Sequence, residues 1–134
     1  MSFGGGPVVT FRPYDASMKP PGPVAAVIVS HPTSSTATSA LPGKMDTGSD
    51  ITVIPTSVIN LVRAAARGRG WLRHHDGSLK PLLLYILNFS VDGHLLRDVT
   101  CLAADRANVL LGRDILNHFA ITLDGKNLIY SLTA

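Results

Sequence analysis

The sequence predicts an all-β domain, mainly strand with one or two short helices, and two observations carry that expectation. Nine prolines and twelve glycines in 134 residues demand many turns, which favours strands over a helical bundle. Between those turns the apolar residues fall in short runs rich in valine, isoleucine and leucine, the length of strands and not of packed helices. The length fits one domain with a modest core. Hydrophobic residues make up 46% and charged residues only 16%, so part of the apolar surface is expected to be covered by a partner.

In chain order, residues 1–23 are set apart as an N-terminal segment, with 1–7 read as disordered and Val8–Arg12 as a short strand before a Pro/Gly-rich connector. Residues 24–134 form the domain. Val24–Ser30 reads as a buried strand, and His31–Ala40 as a flexible Ser/Thr-rich connection. Ile51–Ile54 is a short β-branched run ended by Pro55. Thr56 is placed to cap a helix through Ala66, on which Val58, Ile59, Leu61, Val62 and Ala65 give partial helical periodicity. Trp71–His75 and Leu79–Leu87 are strands on either side of Asp76-Gly77, and Asn88–Val91 prolongs the second. Asp92-Gly93 turns the chain into a strand from His94 or Leu95 to about Ala103. Val109–Leu111 is a further short strand, Ile115–Phe119 a brief helix, and Ala120–Leu123 with Leu128–Leu132 a closing hairpin around residues 124–127.

Several function classes drop out. Cys101 is the sole cysteine, so no disulfide forms within the chain. It reads as a small core residue, with no local Cys-His signature of a nucleophile. The longest apolar stretches, Val24–Val29 and Leu82–Leu87, fall far short of the roughly 20 residues that span a bilayer. Val24–Val29 is also too short for a signal peptide, so a reducing, cytoplasmic location is the expectation. A net charge of +3 is too mild to indicate nucleic acid by itself. His74 and His75 are adjacent, hence on opposite faces of a strand, and no carboxylate or thiol pattern completes a metal site.

Chemistry concentrates at Asp46-Thr47-Gly48-Ser49-Asp50, a Gly-containing turn running into Ile51-Thr52-Val53-Ile54. A second element, Val109-Leu110-Leu111-Gly112-Arg113-Asp114-Ile115-Leu116, follows about sixty residues later. Together they resemble the single-domain, retropepsin-like aspartic proteases, over roughly Val24 to Leu132. The resemblance implies their acid-protease fold, a closed β-barrel-like half-site completed by a homodimer, with one Asp46 from each chain activating a water for peptide hydrolysis. It implies neither cofactor nor metal, and a peptide or protein substrate. Asp76-Gly77, Asp92-Gly93 and Asp124-Gly125 lack the following apolar run and read as hairpin turns. None of them supplies the second carboxylate.

The remaining site residues take their roles from the same resemblance. The Gly48 N–H supports the carboxylate, and Thr47 locks the two copies together across the two-fold axis. Ser49 is placed to donate to the outer oxygen of Asp46. Asp50 and Arg113 form a supporting ion pair, Leu110-Leu111-Gly112 packs against the catalytic loop, and Asp114 belongs to the same support. A flap over the substrate falls at residues 71–79, with Trp71, His74, His75, Asp76 and Gly77 as its substrate-side candidates. Its single tip glycine, in place of the paired glycines of viral flaps, indicates a cellular or bacterial type of relative. Met45 and Pro42-Gly43-Lys44 depart from the family's small apolar lead-in. The apolar Ala120–Leu132 hairpin is the candidate for much of the dimer sheet, to which the N-terminal segment is an alternative contributor.

Two other readings remain open from the residues alone. One is a catalytically silent peptide-binding or dimerisation module on the same fold. The other is an RNA-binding protein acting through Arg63, Arg67, Arg69 and Arg73 around Trp71, although such a cluster is more often a solvated face.

Overall fold

The computed structural model describes residues 9–134, so the segment 1–7 and Val8 lie outside the described residues. Ten strands and two short helices follow in the order β1 (Arg12–Pro13), β2 (Val24–Ser30), β3 (Leu41–Met45), β4 (Val53–Pro55), α1 (Thr56–Val62), β5 (Gly68–Arg73), β6 (Leu79–Val91), β7 (His94–Ala104), β8 (Val109–Leu111), α2 (Arg113–Leu116), β9 (Ala120–Asp124) and β10 (Ile129–Thr133). The chain is mainly β, as its turn-rich composition predicts.

The larger sheet runs β2-β3-β8-β4-β7-β6-β5 and closes on itself where β2 also pairs with β6. Val27 to Ser30 lie antiparallel to Val91 to Asn88 across that seam. Closure removes the open sheet edges that would otherwise need cover. Strand β5 stays outside the ring as the second arm of a hairpin with β6. A separate three-stranded sheet, β1-β10-β9, joins the N-terminal residues to the C-terminal hairpin of the same chain.

The barrel is filled by alternation. Ala25, Val27 and Val29 of β2 are buried while Ala26 and Ile28 face out, so β2 is buried on one face and not on both. They meet Leu87, Phe89 and Val91 of β6, Cys101 and Ala103 of β7, and Val58, Ile59 and Val62 of α1 in one core. A second, smaller cluster lies under the β5–β6 hairpin, where Val53, Leu82 and Leu102 are joined by Ile51, Leu72, Leu84 and Leu110.

Both helices differ from their predicted spans. Pro55, not Thr56, precedes the first helical residue of α1, and no side chain caps it. The helix stops at Val62 because Arg63 turns left-handed at φ 59°, and four residues later the Arg67 N–H is held by the Leu84 carbonyl. That bond draws residues 64–67 toward the sheet, where a helix through Ala66 would not reach. Helix α2 begins at Arg113, two residues before the predicted start, because the Leu116 N–H already bonds the Gly112 carbonyl. The predicted strand ending at Arg12 is in fact Arg12–Pro13, set by pairing with Tyr130 and Ile129.

One turn ties the two sheets together. Asp92 and Gly93 both adopt positive φ, 47° and 87°, the conformation of a two-residue hairpin turn, where glycine is unstrained and aspartate is tolerated. The Asp92 carboxylate accepts from the Ala26 N–H at 2.8 Å and from the Tyr130 hydroxyl at 2.8 Å. It also pairs with the Arg12 guanidinium at 3.4 Å, although its side chain is only 4% exposed.

Candidate active site

Asp46 follows β3, which runs parallel to β8, while β4 pairs with β8 in the opposite sense. The loop between β3 and β4 therefore crosses beside Leu111-Gly112, and the Asp46 N–H bonds the Leu111 carbonyl at 2.9 Å. Gly112 is required here by space. A β-carbon on it would fall 2.6 Å from the carbonyl carbon of Ile51 and 2.7 Å from its oxygen, both backbone atoms. The expected packing of Leu110-Leu111-Gly112 on this loop is thus present as direct backbone contact.

Within the loop the Gly48 N–H donates to Asp46 Oδ1 at 2.9 Å, the support expected of it. Two other expectations need correction. The Ser49 hydroxyl donates to the Ile51 carbonyl at 2.7 Å and not to Asp46, because the turn aims it along the chain toward β4. Asp50 and Arg113 form no ion pair within the chain; the pair between Arg12 and Asp92 is the one found among the described residues. Arg113 instead donates from Nη1 to the Thr47 carbonyl at 2.7 Å, and its own N–H bonds the Ser49 carbonyl at 2.8 Å. It thereby braces the same loop through backbone oxygens.

Behind the loop sits a residue that sequence reasoning passed over. Thr52 is fully buried, and its hydroxyl donates to Asp114 Oδ1 at 2.7 Å while accepting from the Gly112 N–H at 3.1 Å. Its backbone N–H donates to Asp114 Oδ2 at 3.0 Å. Asp114 thus fastens the start of α2 to the β4 end of the Asp46 loop. The available signal was a lone polar residue inside the apolar run 51–54.

The loop opens onto a groove of about 710 Å³. Its floor is Asp46 and residues 48–51, with Leu110 and Arg113 at one side; the β5–β6 hairpin supplies Trp71, Leu72, Arg73 and Leu79 at the other. Of the predicted flap residues, Trp71 lines the groove. His74, His75, Asp76 and Gly77 stand exposed at the hairpin tip and do not line it. Leu72, Arg73 and Leu79 do instead, because the tip turn carries residues 74–77 past the groove. Hydrogen bonds from the Ser78 hydroxyl and N–H hold the Asp76 carboxyl below the usual carboxylate range. Asp46 is half-buried, while Thr47, Gly48 and Asp50 are exposed.

Cys101 lies in the core beneath this site, and burial, with Asp114 nearby, pushes its thiol up to about 12. A thiol held protonated in this way is no nucleophile. No grouping of three or more His, Cys, Asp or Glu side chains suited to a metal ion occurs among the described residues. Nor is any helix among them long and apolar enough to cross a membrane.

No protein-family model and no curated protein matches the chain. Solved structures do. A retropepsin-like aspartic protease from Rickettsia conorii is similar with a TM-score of 0.62 at 12% identity, over 95% of this chain and 94% of that one. EIAV protease, in complex with the inhibitor HBY-793, gives 0.57 at 22% identity over 72% of this chain and 86% of that one. The simian foamy virus (mac) protease gives 0.54 at 18% identity over 71% and 92%. The fold is that of the retropepsin-like aspartic proteases.

Proposed function

We propose that the chain is an aspartic endopeptidase whose active site is assembled from two copies, each contributing Asp46. The observation that carries this reading is the Asp46 carboxylate on the floor of a peptide-sized groove, with one intrachain hydrogen bond and exposed neighbours at Thr47 and Gly48. Water activation by carboxylates needs a base and an acid together. One Asp46 from each of two copies would supply that pair.

Two such carboxylates about 3 Å apart repel by roughly 5–6 kcal/mol at an effective dielectric near 20. That separates their ionisations by about four pKa units, so the pair holds one shared proton, the established behaviour of aspartic protease dyads. The ionised member takes a proton from the bridging water. The neutral member donates to the scissile carbonyl, so attack and polarisation happen together. The two apparent pKa values belong to the pair. Thr47, exposed beside the dyad, is assigned to the contact between copies, and the apolar β9–β10 hairpin to a self-complementary interface. Gly48, Ser49, Asp50, Gly112, Arg113 and Asp114 are assigned to loop support, and the β5–β6 hairpin to the flap.

A mixed peptide library incubated with wild type and Asp46→Asn between about pH 4 and 7 tests the reading. Cleavage is expected from wild type and a loss of roughly a thousandfold or more in the variant. Absence of cleavage by wild type at high protein concentration removes the protease assignment and leaves the silent binding module.

A further inference from the structure

The two faces of the β5–β6 hairpin are built differently. Trp71 lies opposite Pro81, Arg69 opposite Leu83 and Arg73 opposite Leu79, and directly opposed residues share a face. All six are exposed, Trp71 by 63%, Leu79 by 50% and Leu83 by 45%. The alternate residues Leu72, Leu82 and Leu84 pack into the smaller core cluster on the other side. The hairpin therefore spends one face on the fold and leaves a tryptophan, two leucines and a proline on the other, between two arginines. That face carries no acid. Asp76, at the tip, is engaged by Ser78.

The strip is continuous with the groove, since Trp71, Arg73 and Leu79 belong to both. We infer that the outer face of the hairpin is a docking strip for an acidic, apolar segment of the protein substrate flanking the bond to be cut. This inference rests on the protease reading. An extended chain leaving the groove meets leucine and tryptophan for its apolar side chains and Arg69 and Arg73 for its carboxylates. An RNA strand fits less well, because a single aromatic among aliphatic groups offers no succession of stacking platforms. A second copy of the same face would set arginine against arginine.

Trp71 is the sole tryptophan, so its fluorescence reports the strip and the adjoining groove. Substitutions at Arg69 and Leu83, which do not line the groove, separate the two. The whole chain carrying Asp46→Asn is titrated at low salt with an alternating glutamate–leucine peptide and with its lysine–leucine counterpart. The acidic peptide is expected to shift Trp71 emission and bind roughly tenfold tighter than the basic one. The response fades at high salt, disappears in Arg69→Glu/Leu83→Asn, and survives in Arg69→Lys. An equal response to both peptides, or none to either, overturns the inference. So does an RNA oligonucleotide or an anionic vesicle that shifts Trp71 where the acidic peptide does not. Because binding is read without cleavage, a chain that docks the acidic peptide yet cuts nothing in wild-type form keeps the strip and loses the protease assignment. A wild-type chain that cuts peptides but fails this titration does the reverse.

Discussion

Asp46 and Asp92 are the same residue on similar glycine-containing turns, and the fold treats them in opposite ways. The Asp92 side chain is buried and its oxygens are engaged by Ala26, Tyr130 and Arg12 of its own chain. Asp46 is half-buried and faces a groove, and among the described residues its carboxylate accepts one hydrogen bond, from Gly48. A carboxylate satisfied within its own chain serves stability, since its bonds hold two sheets together. A carboxylate with acceptor capacity left over is free to hold a water or meet a second carboxylate. Local sequence distinguishes the two turns by the apolar run that follows Asp46; the partners that arrive from distant strands decide how each carboxylate is satisfied.

Exchanging the two sites should therefore give mirror-image defects. Asp92→Ala is expected to cost about 2–4 kcal/mol of unfolding free energy, because it strands the Ala26 N–H, weakens the Tyr130 bond and places alanine at positive φ. Asp46→Ala is expected to change stability by no more than about 0.5 kcal/mol while abolishing cleavage. Denaturant titration of both variants, beside a peptide assay, checks the pair. Equal destabilisation would dissolve the contrast.

A smaller effect probes the support behind Asp46. Thr52→Val keeps the shape but leaves the Gly112 N–H and one Asp114 oxygen without the hydroxyl, at a cost of about 1–3 kcal/mol. Thr52→Ser should recover most of it. Thr52→Val is also expected to lower kcat more than it raises KM, because the β4 end of the loop is loosened while the groove is unchanged.

The smallest effect lies at the Asp92 end and depends on pH. Burial, then the hydrogen bond to Asp92, raises the Tyr130 hydroxyl above its ordinary value of 10. A raised value in the fold means that the folded chain retains a proton that the unfolded chain releases. The contribution is fully present below pH 10 and is lost as pH climbs from there through the higher folded-state value. Melting curves taken across that alkaline window should show wild type losing stability more steeply than Tyr130→Phe.

Much of the barrel was legible in the chain because its signals are local. The β-branched content of Val24–Ser30 marks a strand, and the Asp92-Gly93 turn fixes the register between β6 and β7. What escaped depends on distant partners. Helix α1 ends early because Leu84 captures Arg67, and no residue near Ala66 announces that. Closure of β2 onto β6 joins segments about sixty residues apart. At the site, the motif singled out Asp46, Gly48 and Gly112, whose contacts follow from tight backbone geometry. The targets of Ser49 and Arg113 could not be read from it, since either side chain reaches several acceptors and the turn decides which. Thr52 was hidden inside an apolar run whose pattern said only strand.

Subunit mixing distinguishes a working site built from two copies of Asp46 from one that needs a single copy. Wild type and Asp46→Asn are combined at constant total chain concentration, allowed to exchange, and assayed on one peptide. If two wild-type chains are needed, activity follows the square of the wild-type fraction and falls to about one quarter at equal mixing. Activity in direct proportion to the wild-type fraction, about one half at equal mixing, would mean that a single Asp46 suffices and that the site is not shared between copies.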